Sequence, residues 1–261
     1  NDLLHLKSSV VDSIVGVYTT WGIKLNNIIL AVSTGLVTSL IPNIVTSFTK
    51  HDMDDVNDKF NKAIQCVLLV IVPMTIFLSL LVKPVWTLFY GNSYYGPIVY
   101  QYFVYTALFG GIYTIIVNTL QGINKYKLVI VTVMIGLVTN AILDVPLMLL
   151  FDQMGMNVSY GAITAALIGY TLSIVTSMGI LKKKYLFRFD QTFKRLPKYI
   201  ISWGSFILSI YLMKLFIPTN LHGRFIQIPI LMIYGIVSFF IYIYINYKNG
   251  NIKSVFGNKI N

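Results

Sequence analysis

The stretch Leu128–Phe151, LVIVTVMIGLVTNAILDVPLMLLF, decides how the rest of the chain is read. Its 24 residues are enough to carry a helix across a bilayer, which takes about 20 apolar residues. Inside it lie Asn140, Asp144 and Pro146. A carboxylate at that depth costs about 3 kcal/mol on insertion scales, so it faces protein or a wet cavity and usually has a task. Asn140 and Asp144 are four residues apart and share one face of a helix. Pro146 has no N–H and crowds the carbonyl of Ile142, freeing that carbonyl between the two polar side chains. An amide oxygen, a carboxylate and a loose carbonyl are hard ligands suited to Na⁺ or a proton. The competing reading is a polar patch that glues helices together.

Composition agrees with a membrane location. Of the 261 residues, 56% are hydrophobic and 11% charged, and the mean hydropathy is +0.72. Soluble domains carry about 25% charged residues. Seven apolar segments follow one another near 14–48, 60–82, 98–120, 128–151, 161–181, 198–217 and 225–245. The expected fold is therefore all-α and polytopic, with about seven transmembrane helices. Residues 1–13 read as the end of a preceding span plus an external loop, and 246–261 as a cytoplasmic tail. The chain begins with Asn1 and no signal peptide precedes the first apolar run, so a fragment is expected, with an N-terminal half of the same polypeptide upstream.

Orientation follows from the basic residues. Fifteen of the 20 lie in the segments 50–62, 125–127, 182–198 and 248–259, and the other five are Lys7, Lys24, Lys83, Lys214 and Arg224. Cytoplasmic loops carry the excess of Lys and Arg. The C-terminus is thus expected in the cytoplasm and the N-terminus outside. The net charge of +11 reflects this rule, and no nucleic-acid partner is inferred. The segment 182–195, KKKYLFRFDQTFKR, interleaves bases with aromatic residues as a strand of chain lying on an anionic leaflet does; an ordinary cytoplasmic loop is the alternative. Residues 51–62, HDMDDVNDKFNK, read as a solvated helical entry to the second span. The last two spans carry Gly204, Ser205, Ser209, Gly235 and Ser238, small residues that leave room for a lipid tail.

The chemistry of an enzyme is missing. The sequence has no phosphate loop, nucleophile elbow or zinc-protease motif. Its single cysteine, Cys66, excludes a disulfide framework. Polar residues are sparse and grouped in the apolar spans, unlike the lining of a channel. Carriers bind midway through the membrane on interrupted helices, and that class fits best. No cofactor is expected beyond Na⁺ or H⁺ as a coupling ion.

An ordered set of segments then points to a family. TGLVTSLIPNIVTSF (Thr34–Phe48), KPVWTLFYG (Lys83–Gly91), LQGINKYK (Leu120–Lys127), TNAILDVPLML (Thr139–Leu149) and YGAITAAL (Tyr160–Leu167) resemble, in that order, the C-terminal half of the multidrug, oligosaccharidyl-lipid and polysaccharide flippase superfamily. Within it the chain is most similar to the lipid II flippases and the polysaccharide exporters. The resemblance implies the second half of a two-bundle transporter of about twelve to fourteen spans in the bacterial inner membrane. The implied activity is to move an undecaprenyl-diphosphate-linked cell-envelope sugar from the inner to the outer leaflet by alternating access. It also implies a cation site in which Asp2, Asn140, Asp144 and Thr164 take part, and a cavity cation near the start of the eighth span, where Lys24 stands in place of the family's Arg. Lys holds a diphosphate as a point charge and lacks the guanidinium fork. Two alternatives stay open: a drug/cation antiporter of the same fold, and a non-transporting scaffold subunit of an envelope-synthesis complex.

Overall fold

A computed structural model describes residues 8–219 and 223–257. They are helical throughout, with short connections. In chain order the elements are α1 (Ser8–Gly16), a π-helical turn (Val17–Trp21), α2 (Gly22–Thr49), α3 (Met53–Leu80), α4 (Val82–Tyr90), α5 (Tyr95–Phe103), α6 (Tyr105–Gly122), α7 (Tyr126–Gln153), α8 (Ser159–Tyr185), α9 (Asp190–Phe216), α10 (Gln227–Lys248) and α11 (Asn251–Phe256). Seven helices are long and apolar enough to cross a membrane, one for each apolar segment of the sequence: Val11–Thr49, Met53–Leu80, Tyr95–Gly122, Tyr126–Gln153, Ser159–Tyr185, Asp190–Phe216 and Gln227–Lys248. At 1.5 Å per residue, a 28-residue helix such as α3 extends about 42 Å, enough for the hydrocarbon core and one headgroup layer.

The first span runs on as one helix from α1 through the π-turn into α2, past Lys24, Asn26 and Asn27. Wide turns of this kind mark functional positions in helices more often than chance. Pro42, Pro73, Pro146 and Pro197 all lie within helices that continue beyond them; in lipid, neighbouring groups take over the backbone partner a proline removes.

The core lies between α2, α3 and α6. On α2 the buried positions Leu25, Ile29, Ser33 and Val37 recur every four residues. They meet Ile71 and Phe60 of α3 and Ile115, Ile116 and Leu120 of α6 in one cluster. Ser33 Oγ donates to Gly111 O at 3.1 Å, a polar contact that also lets α2 and α6 approach closely. A second tight unit is the antiparallel pair α7–α8. Small residues Gly161, Ala165, Gly169 and Ser173 form a four-residue repeat of buried positions on α8. A Cβ added at Gly169 would stand 2.6 Å from Gly136 O of α7, and one at Gly161 2.5 Å from the backbone of Leu147 and Met148. Only glycine permits that approach.

The four basic segments gather at one end of the bundle. Asn57 and Asn61, one turn apart at the start of α3, hold the α8–α9 connection by its backbone. Asn57 Oδ1 accepts from Arg188 N at 2.6 Å; Asn61 Nδ2 donates to Arg188 O at 2.7 Å, and Asn61 Oδ1 accepts from Thr192 N at 3.0 Å and Thr192 Oγ1 at 2.7 Å. Phe187 and Phe189 are buried there against Phe60. Lys125 sits over the Tyr185 ring, Arg195 donates to Gly250 O and Ser254 Oγ to Gln65 Oε1. This refines the reading of the segment 182–195. Two of its aromatic residues are protein core, because paired amides satisfy the connection's backbone and let the rings turn inward; Leu186 and Phe193 stay exposed. It also refines the reading of residues 51–62. Asp52 caps α3 by accepting from Asp55 N at 3.0 Å, and the Asp55–Lys59 and Asp58–Lys62 pairs face out, but Val56, Asn57, Phe60 and Asn61 are buried.

At the opposite end, Arg224 donates to the carbonyls of Leu88 and Phe89 at 2.6 and 2.9 Å, closing the C-terminal turn of α4. Lys214 Nζ donates to Leu80 O at 2.8 Å. Few cations occupy this end, and these two bond carbonyls at helix C-termini, where the dipole favours positive charge.

Candidate functional site

The site is built around one face of α7. Thr132, Gly136, Asn140 and Asp144 follow each other at four-residue intervals, which stacks them in a single stripe. The upper part of the stripe is occupied by structure. Thr132 Oγ1 lies 2.8 Å from Tyr113 Oη, and Ser173 Oγ donates to Thr132 O at 2.8 Å. The lower part is different. Asn140 Oδ1 is fully buried with no hydrogen-bond partner among the described residues. Asp144 makes no ion pair among them; the pairs present are Lys59–Asp55, Lys62–Asp58 and Arg188–Asp54, all at the basic end.

Asn140 and Asp144 face a cavity of about 460 Å³. Its walls come from α1 and the π-turn (Ile14, Tyr18), the α5–α6 junction (Phe103, Thr106) and the first turns of α8 (Ser159, Ala162). The π-turn delivers Tyr18 to this wall, where its hydroxyl donates to Ser159 O at 2.7 Å. The first span is thereby tied to the start of α8 across the cavity. A second cavity, of about 360 Å³, adjoins it and shares Asn140 and Ala166.

The other sequence-derived positions fall elsewhere. Thr164 donates to Tyr160 O at 2.7 Å and lies 3.2 Å from Tyr102 Oη; it is on α8 but does not line the cavity with Asp144. Lys24 is exposed on α2, its ammonium 5.5 Å from the Trp21 ring centroid, and Tyr90 Oη fixes that turn by donating to Trp21 O at 2.8 Å. Asp2 lies outside the described residues. Gly204 has open space where a side chain would grow, and Gly235 meets only Phe77, at 3.9 Å. Ser209 and Ser238 are buried.

Tyr18 was not singled out from sequence. Nothing in VYTTW announces a π-turn, and the Tyr18–Ser159 contact joins residues 141 positions apart. Asn57 and Asn61 did carry a signal: two amides at i, i+4 interrupt an otherwise charged pattern.

An all-helical bundle of seven candidate spans is the architecture of a multi-pass membrane protein. Residues 17–99 match the family model for the lipid II flippase MurJ. That match runs from the π-turn into α5 and ends before α7. The chain is also 26% identical over 260 residues to the lipid II flippase MurJ of Bacillus subtilis (strain 168), an alignment covering 97% of this chain. The chain is a distant homologue of the MurJ lipid II flippase family. It spans about half the length of this curated relative, 46%.

Proposed function

We propose that this chain is the C-terminal bundle of a flippase that moves an undecaprenyl-diphosphate-linked cell-envelope sugar, lipid II or a polysaccharide repeat unit, from the inner to the outer leaflet of a bacterial inner membrane. The observation that carries the reading is the alignment of 97% of this chain to part of a lipid II flippase, joined to a helix bundle with an acid, unpaired among the described residues, on a cavity between helices. The C-terminus lies in the cytoplasm, because the fifteen basic residues of the segments read as internal greatly outnumber the other five.

In this reading the protein does no covalent chemistry. An N-terminal bundle and this one rock about a headgroup cavity, and ion binding biases one state over the other. A ligand drives such motion only through differential affinity for the two states. Asn140 and Asp144 hold the coupling cation, Na⁺ or H⁺. Thr164, bonded to Tyr160 O one turn earlier on α8, assists them, and Asp2, outside the described residues, is the further ligand that the family resemblance implies. Lys24, exposed near the end of the bundle poor in cations, meets the diphosphate as a point charge. The lipid tail runs along α9 and α10, where Leu208, Leu215, Ile236 and Phe240 are exposed.

The whole polypeptide containing this chain, expressed in cells depleted of their own lipid II flippase, is expected to restore growth and to expose lipid II on the outer leaflet. If growth fails while another lipid-linked glycan is externalised, the substrate is that glycan. If no lipid-linked glycan moves, the flippase reading is wrong.

A further inference from the structure

The cavity beside Asp144 is much larger than an ion needs. A monovalent cation with three or four waters fills on the order of 100 Å³, at about 30 Å³ per water. The cavity offers about 460 Å³. Spaces of about 300–1,000 Å³ with apolar walls and a few placed polar groups are the usual form of a site for small organic ligands. Here the walls are mainly aliphatic and aromatic, from Ile14, Phe103, Met148 and Ile163 among others.

The polar atoms define the ligand's head. Asp144 is the only charged residue on the wall among the described residues, so an anion is disfavoured. Its carboxylate has no ion-pair partner among the described residues. Tyr18 spends its proton on Ser159 O, which leaves its oxygen free only to accept. The two Asp144 carboxylate oxygens and Tyr18 Oη therefore offer three acceptors to one space, with no donor assigned to them among the described residues apart from the Asn140 amide beside them, and the matching group is a primary ammonium, which carries three N–H donors. Leaving these oxygens unpaired costs free energy, which a cationic donor recovers.

We propose that this cavity is a binding site for a primary organic ammonium ion with a compact apolar body, held by Asp144 and Tyr18, with the body against the walls contributed by α1 and α8. Such a ligand occupies the same carboxylate as a small cation and bridges the first span to α8, so it acts as a competitor that holds the two together. The proposal concerns binding alone and stands independently of what the protein transports.

The test uses the whole polypeptide in lipid nanodiscs and a fluorescent probe, 1-naphthylmethylamine, with the uncharged 1-naphthalenemethanol as its neutral counterpart. The expected result is saturable binding of the amine, at least tenfold tighter than the alcohol. Asp144→Asn is expected to weaken amine binding at least tenfold, and Ala162→Phe, which fills the cavity without touching the carboxylate, to do the same. Equal affinity for amine and alcohol would mean a merely apolar space occupied by lipid, and would overturn the proposal. So would amine binding that neither folded variant weakens, or the absence of saturable binding to the unmodified protein, a comparison that needs no variant to fold.

Discussion

The head of α3 and the middle of α7 are both helical, both carry two polar side chains four residues apart, and behave in opposite ways. At the head of α3, Asn57 and Asn61 are almost entirely buried and their amides are matched to backbone groups of the α8–α9 connection. In α7, Asn140 and Asp144 are less buried, yet among the described residues Asn140 Oδ1 lacks a partner and Asp144 lacks an ion pair. The helices differ in the same sense: 56% of the apolar window of α3 is buried, against 11% in α7. Polar pairs that are satisfied inside the bundle fix its shape. Polar pairs left unsatisfied beside a cavity are available to something that comes and goes, and protein interiors tolerate such groups mainly where function requires them.

The sharpest way to break this contrast is Asn61→Leu. It strands Arg188 O and the Thr192 N–H at a buried position, so a loss of about 3 kcal/mol or more is expected in reversible unfolding from detergent micelles. A loss below about 1 kcal/mol would show that the amide clamp is incidental. Next in size is Gly161→Ala, whose added carbon meets the backbone of Leu147 and Met148. It forces α7 and α8 apart, with an expected cost of about 2 kcal/mol. The control is Gly204→Ala, where nothing lies within 4 Å, and the expected change is within about 0.5 kcal/mol. If the two glycines respond alike, the close α7–α8 approach is not a stability determinant.

Asp144→Asn is expected to be smaller still, shifting unfolding by less than about 1 kcal/mol, since it removes a charge that holds no partner in the bundle. A large loss would mean that the carboxylate is structural, and would erase the difference between the two helices. The smallest effect belongs to Lys62→Ala. Its pair with Asp58, at 2.6 Å, is two-fifths exposed, and a helical i, i+4 pair of this kind contributes about 0.3–0.5 kcal/mol, less in high salt.

How far these features were legible in the sequence depends on the range of the interaction behind them. The seven spans follow from local apolar length, and the Asn140–Asp144 face follows from helical spacing alone. The stacking of Gly161, Ala165 and Gly169 against α7 needed the structure, because small residues on a helix do not say which neighbour they pack against. Residues brought together from opposite ends of the chain were not legible. The phenol of Tyr18 reaches the cavity because a π-turn rotates it there, and no propensity announces one. The inward turn of Phe187 and Phe189 depends on amides more than 120 positions away. A pattern of bases and aromatics is the same whether the rings meet lipid or protein; burial of the backbone between them decides it.

The central claim is that Asn140 and Asp144 form the working site of this bundle. It is tested most directly by flipping of lipid II in proteoliposomes containing the whole polypeptide, with and without an imposed Na⁺ or H⁺ gradient. The unmodified protein is expected to respond to one of the two gradients. Asp144→Asn and Asn140→Ala, folded to the wild-type extent, are expected to lose that response. If both variants keep the wild-type gradient response, the polar face of α7 serves only to pack helices, and the account of the site is wrong.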